Sequence, residues 1–172
     1  QELDLYDKLT DYVEEQSQKA AQDNSARGRA LGFTMAMLQR RFSSSIYALR
    51  QTLERMKAKR EDILRDPEGY RKRQMERRLP DDFYELTEEE QQDILSQLEE
   101  LVASYDPEDL KQDIRSLSIL IEKAKGLEDK QIESKLVKLK KVITEEGIFK
   151  DPTMKLLIFT EHKDTLTYLV ER

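Results

Sequence analysis

The stretch that most constrains this chain is its last eighteen residues, Lys155 to Arg172, which read KLLIFTEHKDTLTYLVER. Leu156, Leu157, Ile158 and Phe159 form a continuous apolar run bounded by charge, the pattern of a strand buried on both faces of a parallel sheet. Thr160 ends the run, polar residues follow, and Leu166, Leu169 and Val170 then recur at helical spacing. The order predicts strand, polar turn and helix, the first half of a β-α-β unit. A central strand must pair its backbone N–H and C=O groups on both sides. No second strand of this kind is legible upstream, so the pattern predicts a chain that stops as a sheet domain begins, a piece of something larger. Gln1 in place of an initial Met points the same way.

The rest of the sequence has helical periodicity. Leu5, Leu9, Tyr12 and Val13 mark an amphipathic helix over residues 2–21. Asp23, Asn24 and Ser25 are cap-type residues before a second helix, residues 26–42, whose face uses Leu31, Met35 and Leu38. Ser43, Ser44 and Ser45 interrupt the pattern and predict a new helix start, because a hydroxyl accepts from the free N–H groups of a first turn. The third helix reaches Leu64 with Ile46, Leu49, Leu53 and Met56 on its stripe. Asp66 and Pro67 open a continuation to Arg78, and Pro80, Asp81 and Asp82 signal a loop. Thr87 and Glu90 form a capping-box pattern ahead of Ile94, Leu95, Leu98, Leu101 and Val102. Asp106, Pro107, Glu108 and Asp109 repeat helix-start chemistry before Leu110, Ile114, Leu117 and Ile121, with Gly126 as a left-handed stop. A last long helix covers residues 129–146 on Ile132, Leu136, Leu139 and Ile143, and Gly147 stops it. The predicted fold class is mainly α, elongated helical hairpins or a bundle, with one C-terminal β-strand and helix.

Charged residues make up 38% of the chain and aromatics 7%, with no Trp, a balance that suits long surface-rich helices. A net charge of −6 argues against a generic nucleic-acid binder, but the charge is segregated. From Arg40 to Arg78 thirteen bases stand against six acids, whereas residues 81–109 hold twelve acids and no Lys or Arg. A basic helix could lie along a phosphate backbone, where each neutralised phosphate releases counterions. Arg40, Arg41, Arg50 and Arg55 are the candidates for that contact. The competing reading is a set of solvated helix faces with intrahelical ion pairs. The acidic stretch would pack on the basic helix, face solvent or dock on a basic partner. The absence of Cys removes disulfides and thiolate sites and fits a cytoplasmic location. No apolar run approaches membrane-spanning length, so no membrane partner is expected.

Few residues invite catalysis. There is no G-x-x-x-x-G-K-[ST] loop and no G-x-G-x-x-G, so no phosphate cradle is encoded. The acids lie on helix faces without an aromatic pocket to raise one pKa. Ser43 to Ser45 read as caps rather than nucleophiles, because His162 is the sole imidazole and nothing marks a triad. A single His also makes a His-based metal site unexpected. Thr160 lies at the carboxyl end of the predicted strand, where open α/β sheets bind ligands, and its hydroxyl can donate to a phosphate oxygen. A simple helix cap fits its spacing equally well.

Three blocks resemble a known family. KLLIFTEHKDTLTYLVER is similar to motif IV of the superfamily-two helicase-like ATPases, closest to the Swi/Snf type and its RapA-like branch. ESKLVKLKKVI, Glu133 to Ile143, resembles the helix preceding that motif. RALGFTMAMLQRRFSSSIYALRQTLERM, Arg29 to Met56, resembles the segment where helices protruding from the first motor lobe return to it, and LDLYDKLTDYVEE, Leu3 to Glu15, the start of that protrusion. The resemblance implies inter-lobe helices over residues 1–56, a charged helical insertion over 57–130 and the start of a truncated second RecA-like lobe over 131–172. It implies a parent protein that uses ATP and Mg and moves on nucleic acid, with double-stranded DNA the expected form. The fragment itself would have no catalytic, cofactor or metal residues. It implies that Thr160 approaches the nucleic-acid backbone, with Lys163 adding a charge in the same turn. The exposed apolar strand would make an isolated fragment self-associate or fray. A helical protein-interaction module or coiled-coil adaptor is the alternative.

Overall fold

The apolar stripes at three-to-four spacing converge on one core. The computed structural model describes residues 1–22, 26–69, 87, 90, 91, 94, 106–130 and 133–171. Its helices are α1 (Glu2–Gln22), α2 (Ala26–Ser44), α3 (Ile46–Arg65), α4 (Pro107–Asp129), α5 (Ser134–Glu145) and α6 (Lys163–Glu171). Leu5, Leu9, Tyr12 and Val13 of α1 meet Leu31, Met35 and Leu38 of α2. Ile46, Leu49, Leu53 and Met56 of α3 join them with Leu117, Leu120, Ile121, Ala124 and Leu127 of α4. Each fully buried Leu, Ile or Met contributes roughly 1.5–3 kcal/mol, so this four-helix body is the stable part of the described chain. No described helix is long and apolar enough to cross a membrane.

A buried polar cluster links α1, α3 and α4. Arg60, 1% exposed, donates Nε to Asp113 Oδ2 and Nη1 to the Met56 carbonyl, while the Tyr12 hydroxyl donates to Asp113 Oδ1 at 2.8 Å. Burial pushes the Tyr12 phenol well above its ordinary pKa; the nearby Arg60 charge opposes this and Asp113 reinforces it.

The helix boundaries follow local chemistry where that chemistry is strong. Ser45 is extended, at φ −158° and ψ 153°, and its Oγ accepts from Ala48 N at 3.0 Å. Asp106 accepts from the Glu108 and Asp109 amides with Pro107 opening α4. Thr87 and Glu90 form the reciprocal capping box: Thr87 N donates to Glu90 Oε2 at 2.9 Å and Glu90 N to Thr87 Oγ1 at 3.4 Å. Gly147, at φ 65°, ends the turn after α5; its N–H reaches the Thr144 carbonyl and that of Ile148 the Ile143 carbonyl, a Schellman pairing.

Three expectations need correction. Gly126 does not stop α4, which continues to Asp129 because Leu127 is buried in the core and packing outweighs the roughly 1 kcal/mol glycine penalty. The following helix starts at Ser134 rather than near Asp129, since Glu133 is extended at ψ 116°. No strand forms among the described residues: Leu156 to Phe159, expected as one, are exposed, Leu157 by 79% and Phe159 by 91%. A strand needs ladder partners for its backbone, and none lies beside this run among the described residues. The helix expected after it is present as α6, but it buries Thr165 and Tyr168 while Leu166 and Val170 face solvent. The cap expected at Asp23 to Ser25, the continuation to Arg78, the loop around Pro80, Ile132 and most of the acidic stretch lie outside the described residues.

Candidate functional site

The site is an elbow where α2 ends, α3 begins and α6 lands. Phe42 is the last partly buried apolar residue of α2, and three serines follow. Ser43 donates back to the Gln39 carbonyl at 3.0 Å, Ser44 ends the helix and Ser45 caps α3. Ser44 Oγ and Ser45 Oγ both share hydrogen bonds with Thr165 Oγ1 of α6, at 2.8 and 2.9 Å. The capping role expected of the serines therefore holds for Ser45, and the same hydroxyls dock a second helix.

Charge frames these hydroxyls. Arg41, 4% exposed, donates Nη1 to Asp164 Oδ2 at 3.0 Å, and Arg55 Nη2 approaches the same oxygen at 3.4 Å and Thr52 Oγ1 at 3.1 Å. Arg40 pairs with Glu161 at 3.1 Å. Thr160 Oγ1 accepts from His162 N at 3.3 Å, a local turn just ahead of α6. Lys163 is exposed on the first turn of α6. Five of the six candidate residues, Thr160, Lys163, Arg40, Arg41 and Arg55, are thus brought together around residues 160–165.

Arg50 is elsewhere. Its guanidinium makes a two-pronged contact with Glu128 of α4, Nε to Oε1 at 2.6 Å and Nη2 to Oε2 at 3.1 Å, and Nη1 reaches Glu54 at 2.9 Å. Its Cζ lies 5.1 Å from the Tyr47 ring centroid, and Tyr47 in turn stacks on Tyr168 of α6 at 5.1 Å. Burial opposes the Arg50 charge, yet hydrogen bonding and attraction from Glu128 and Glu54 prevail and raise its pKa. The run therefore makes intrahelical pairs, as in Lys57–Glu61 and Arg65–Asp62, but its buried members pair across helices.

A cavity of about 380 Å³ opens between the elbow, α5 and α6, lined by Arg40, Ser44, Glu133, Lys135, Thr160 and Tyr168 among others. Glu133, 3% exposed, accepts from Ile46 N at 3.2 Å and so helps cap α3. Its Oε2 has no hydrogen-bond partner among the described residues. Burial raises its pKa, against the opposing effect of the Ile46 N–H. Lys135 Nζ donates to the Ser43 carbonyl across the mouth. Its walls mix hydroxyl side chains with apolar ones such as Leu136 and Leu139, and no glycine-rich lysine loop borders it. The sequence carries no G-x-x-x-x-G-K-[ST] loop of the kind that cradles ATP phosphates. Among the described residues no group of three or more His, Cys, Asp or Glu side chains is placed to hold a metal ion.

Sequence reasoning missed Glu161, Asp164, Thr165 and Glu133 as parts of this site. Their partners lie 121, 123, 120 and 87 residues away, and no local pattern encodes such pairings. The one usable signal was an acid in the first turn of α6, close after Thr160. Comparison with known proteins finds no matching family model, no matching curated protein and no matching solved structure.

Proposed function

We propose that this chain is a helical segment of an ATP-dependent nucleic-acid translocase of the Swi/Snf helicase-like type. In this role it shapes the nucleic-acid path between two motor lobes and is not catalytic alone. The observation that carries the reading is the run Leu156 to Phe159, exposed to water directly before Thr160 and α6. Apolar surface costs about 25 cal/mol per Å² in water, so such a run calls for a covering layer. In an intact motor it becomes the first strand of a RecA-like lobe, paired by strands from the rest of the parent protein. The order of the resembling blocks supports this assignment. Thr160, Lys163 and Arg40 then face the nucleic-acid backbone, and ATP and Mg bind elsewhere in the parent.

The test is ATP hydrolysis with and without double-stranded DNA, by the natural protein that contains this sequence and by residues 1–172. DNA-stimulated turnover by the former alone is expected. No turnover in either would sink the motor reading. One observation favours the alternative of a helical interaction module: Arg41, Arg50 and Arg55 are engaged by acids of other helices rather than turned outward. In that case the exposed apolar run docks a protein, and the same assay separates the two.

A further inference from the structure

We propose that residues 155–171 form a detachable arm, parked on the helical body by Asp164 through Arg41 and Arg55. The proposal concerns the chain's own mechanics and stands whether or not the motor reading does.

The contrast between two kinds of contact carries it. The body is held by seventeen buried apolar residues from α1 to α4, and the arm contributes none of them. The arm buries His162, Thr165 and Tyr168, while Leu157, Phe159, Leu166 and Val170 remain exposed. What fastens it is mostly polar: Asp164 on two arginines, Glu161 on Arg40 and Thr165 on two serine hydroxyls, with the buried ring of Tyr168 stacked on Tyr47 beside them. Hydrogen bonds and exposed ion pairs such as Arg40–Glu161 are exchanged for water at little net cost, which leaves the better-buried Arg41–Asp164 pair as the main polar hold. The arm's helix has nine residues, below the length at which an isolated helix is stable, so leaving the body also melts it. Behind it, residues 151–159 are exposed and carry no helix, and Gly147 at φ 65° turns the chain. The described chain therefore holds the arm chiefly through the Arg41–Asp164 pair and the few side chains buried beside it.

Within the latch the halves differ. Arg41 belongs to α2 of the body, and Asp164 is the partner that travels with the arm. Asp164 lies in the first turn of α6 and fixes where that turn lands on the body. It is a positioning residue.

The experiment is amide hydrogen exchange on the full chain, comparing peptides from α6 with peptides from α3, for wild type, Asp164→Asn and Asp164→Glu, in low and high NaCl. The Asn variant is expected to speed α6 exchange about tenfold or more at low salt and leave α3 within about twofold. The Glu variant restores most of the protection. High salt moves wild-type α6 toward the Asn variant, since the exposed Arg40–Glu161 pair and the half-exposed Arg55 are screened. Equal α6 protection in wild type and the Asn variant overturns the proposal. So does a parallel rise in α3, which would make the arm part of the body's cooperative unit, or a Glu variant that exchanges like Asn. No nucleotide or nucleic acid is present, so failure of the motor reading leaves these outcomes unchanged.

Discussion

Arg50→Ala separates a structural arginine from a phosphate contact. The side chain is 14% exposed and its main partner, Glu128, 7%. Removing one member of a buried, two-pronged pair strands the other charge and costs about 3–5 kcal/mol. Glu128 keeps no second guanidinium in the described contacts, but Arg50 retains some solvent access, so the lower end, about 3 kcal/mol, is expected. For a chain of this size that is a fall in Tm of roughly 6–12 °C. Urea unfolding followed by circular dichroism should show a lower midpoint with an unchanged m value. Binding of the natural protein to double-stranded DNA, measured against salt, should keep its slope. A phosphate contact predicts the reverse: stability within about 1 kcal/mol of wild type and a slope smaller by about one. Glu128→Gln sharpens the choice, because it removes the partner and leaves the arginine. A structural Arg50 makes that change destabilising as well. A phosphate-binding Arg50 held in check by Glu128 makes it raise affinity. Destabilisation below about 1 kcal/mol in both variants would refute the structural argument.

Asp113→Ala should cost about 3–5 kcal/mol by urea unfolding, because Arg60 loses its carboxylate inside the core, whereas Tyr12→Phe, which deletes only one hydrogen bond, should cost about 1 kcal/mol. Equal costs would deny that the ion pair dominates. Glu133→Gln tests the raised carboxyl: the wild-type group is favoured neutral in the fold, so its contribution is complete below the unfolded value near 4.5 and is lost as pH rises through the folded one. The stability of the Gln variant minus that of wild type should therefore rise between acid and neutral pH, and a difference independent of pH would contradict it. Gly147→Ala forces a side chain into φ 65° and should lower stability by about 1 kcal/mol in thermal melts, against no change if that turn is not held.

What was legible in the sequence was what acts over a few residues. Ser45, Asp106 and the Thr87–Glu90 box were readable because a cap needs only its own first turn, and Gly147 because a left-handed stop is a local event. The stripes of α1 to α4 were readable because helical period sorts apolar side chains to one face before any partner is known. Gly126 misled because tertiary packing of Leu127 overrides a local preference. Leu156 to Phe159 were readable as surface that wants cover, but a ladder belongs to two segments, and a single run names only one of them.

The basic run shows a second limit of reading a sequence by itself. A sequence window counts charge, whereas a binding surface depends on counter-charge, and here much of that arrives from distant helices. Glu128 meets Arg50, Asp113 meets Arg60, Asp164 meets Arg41 and Arg55, and Glu161 meets Arg40. The seven-positive excess between Arg40 and Arg78 is therefore not the field a phosphate would feel at the elbow. A polyanion reaching Arg40 and Arg55 must displace Glu161 and Asp164, exchanging one charge-assisted bond for another. Both acids lie on the arm. On the proposed function, nucleic-acid contact at these arginines and docking of residues 155–171 would draw on the same guanidinium groups, so each state would weaken the other by linkage.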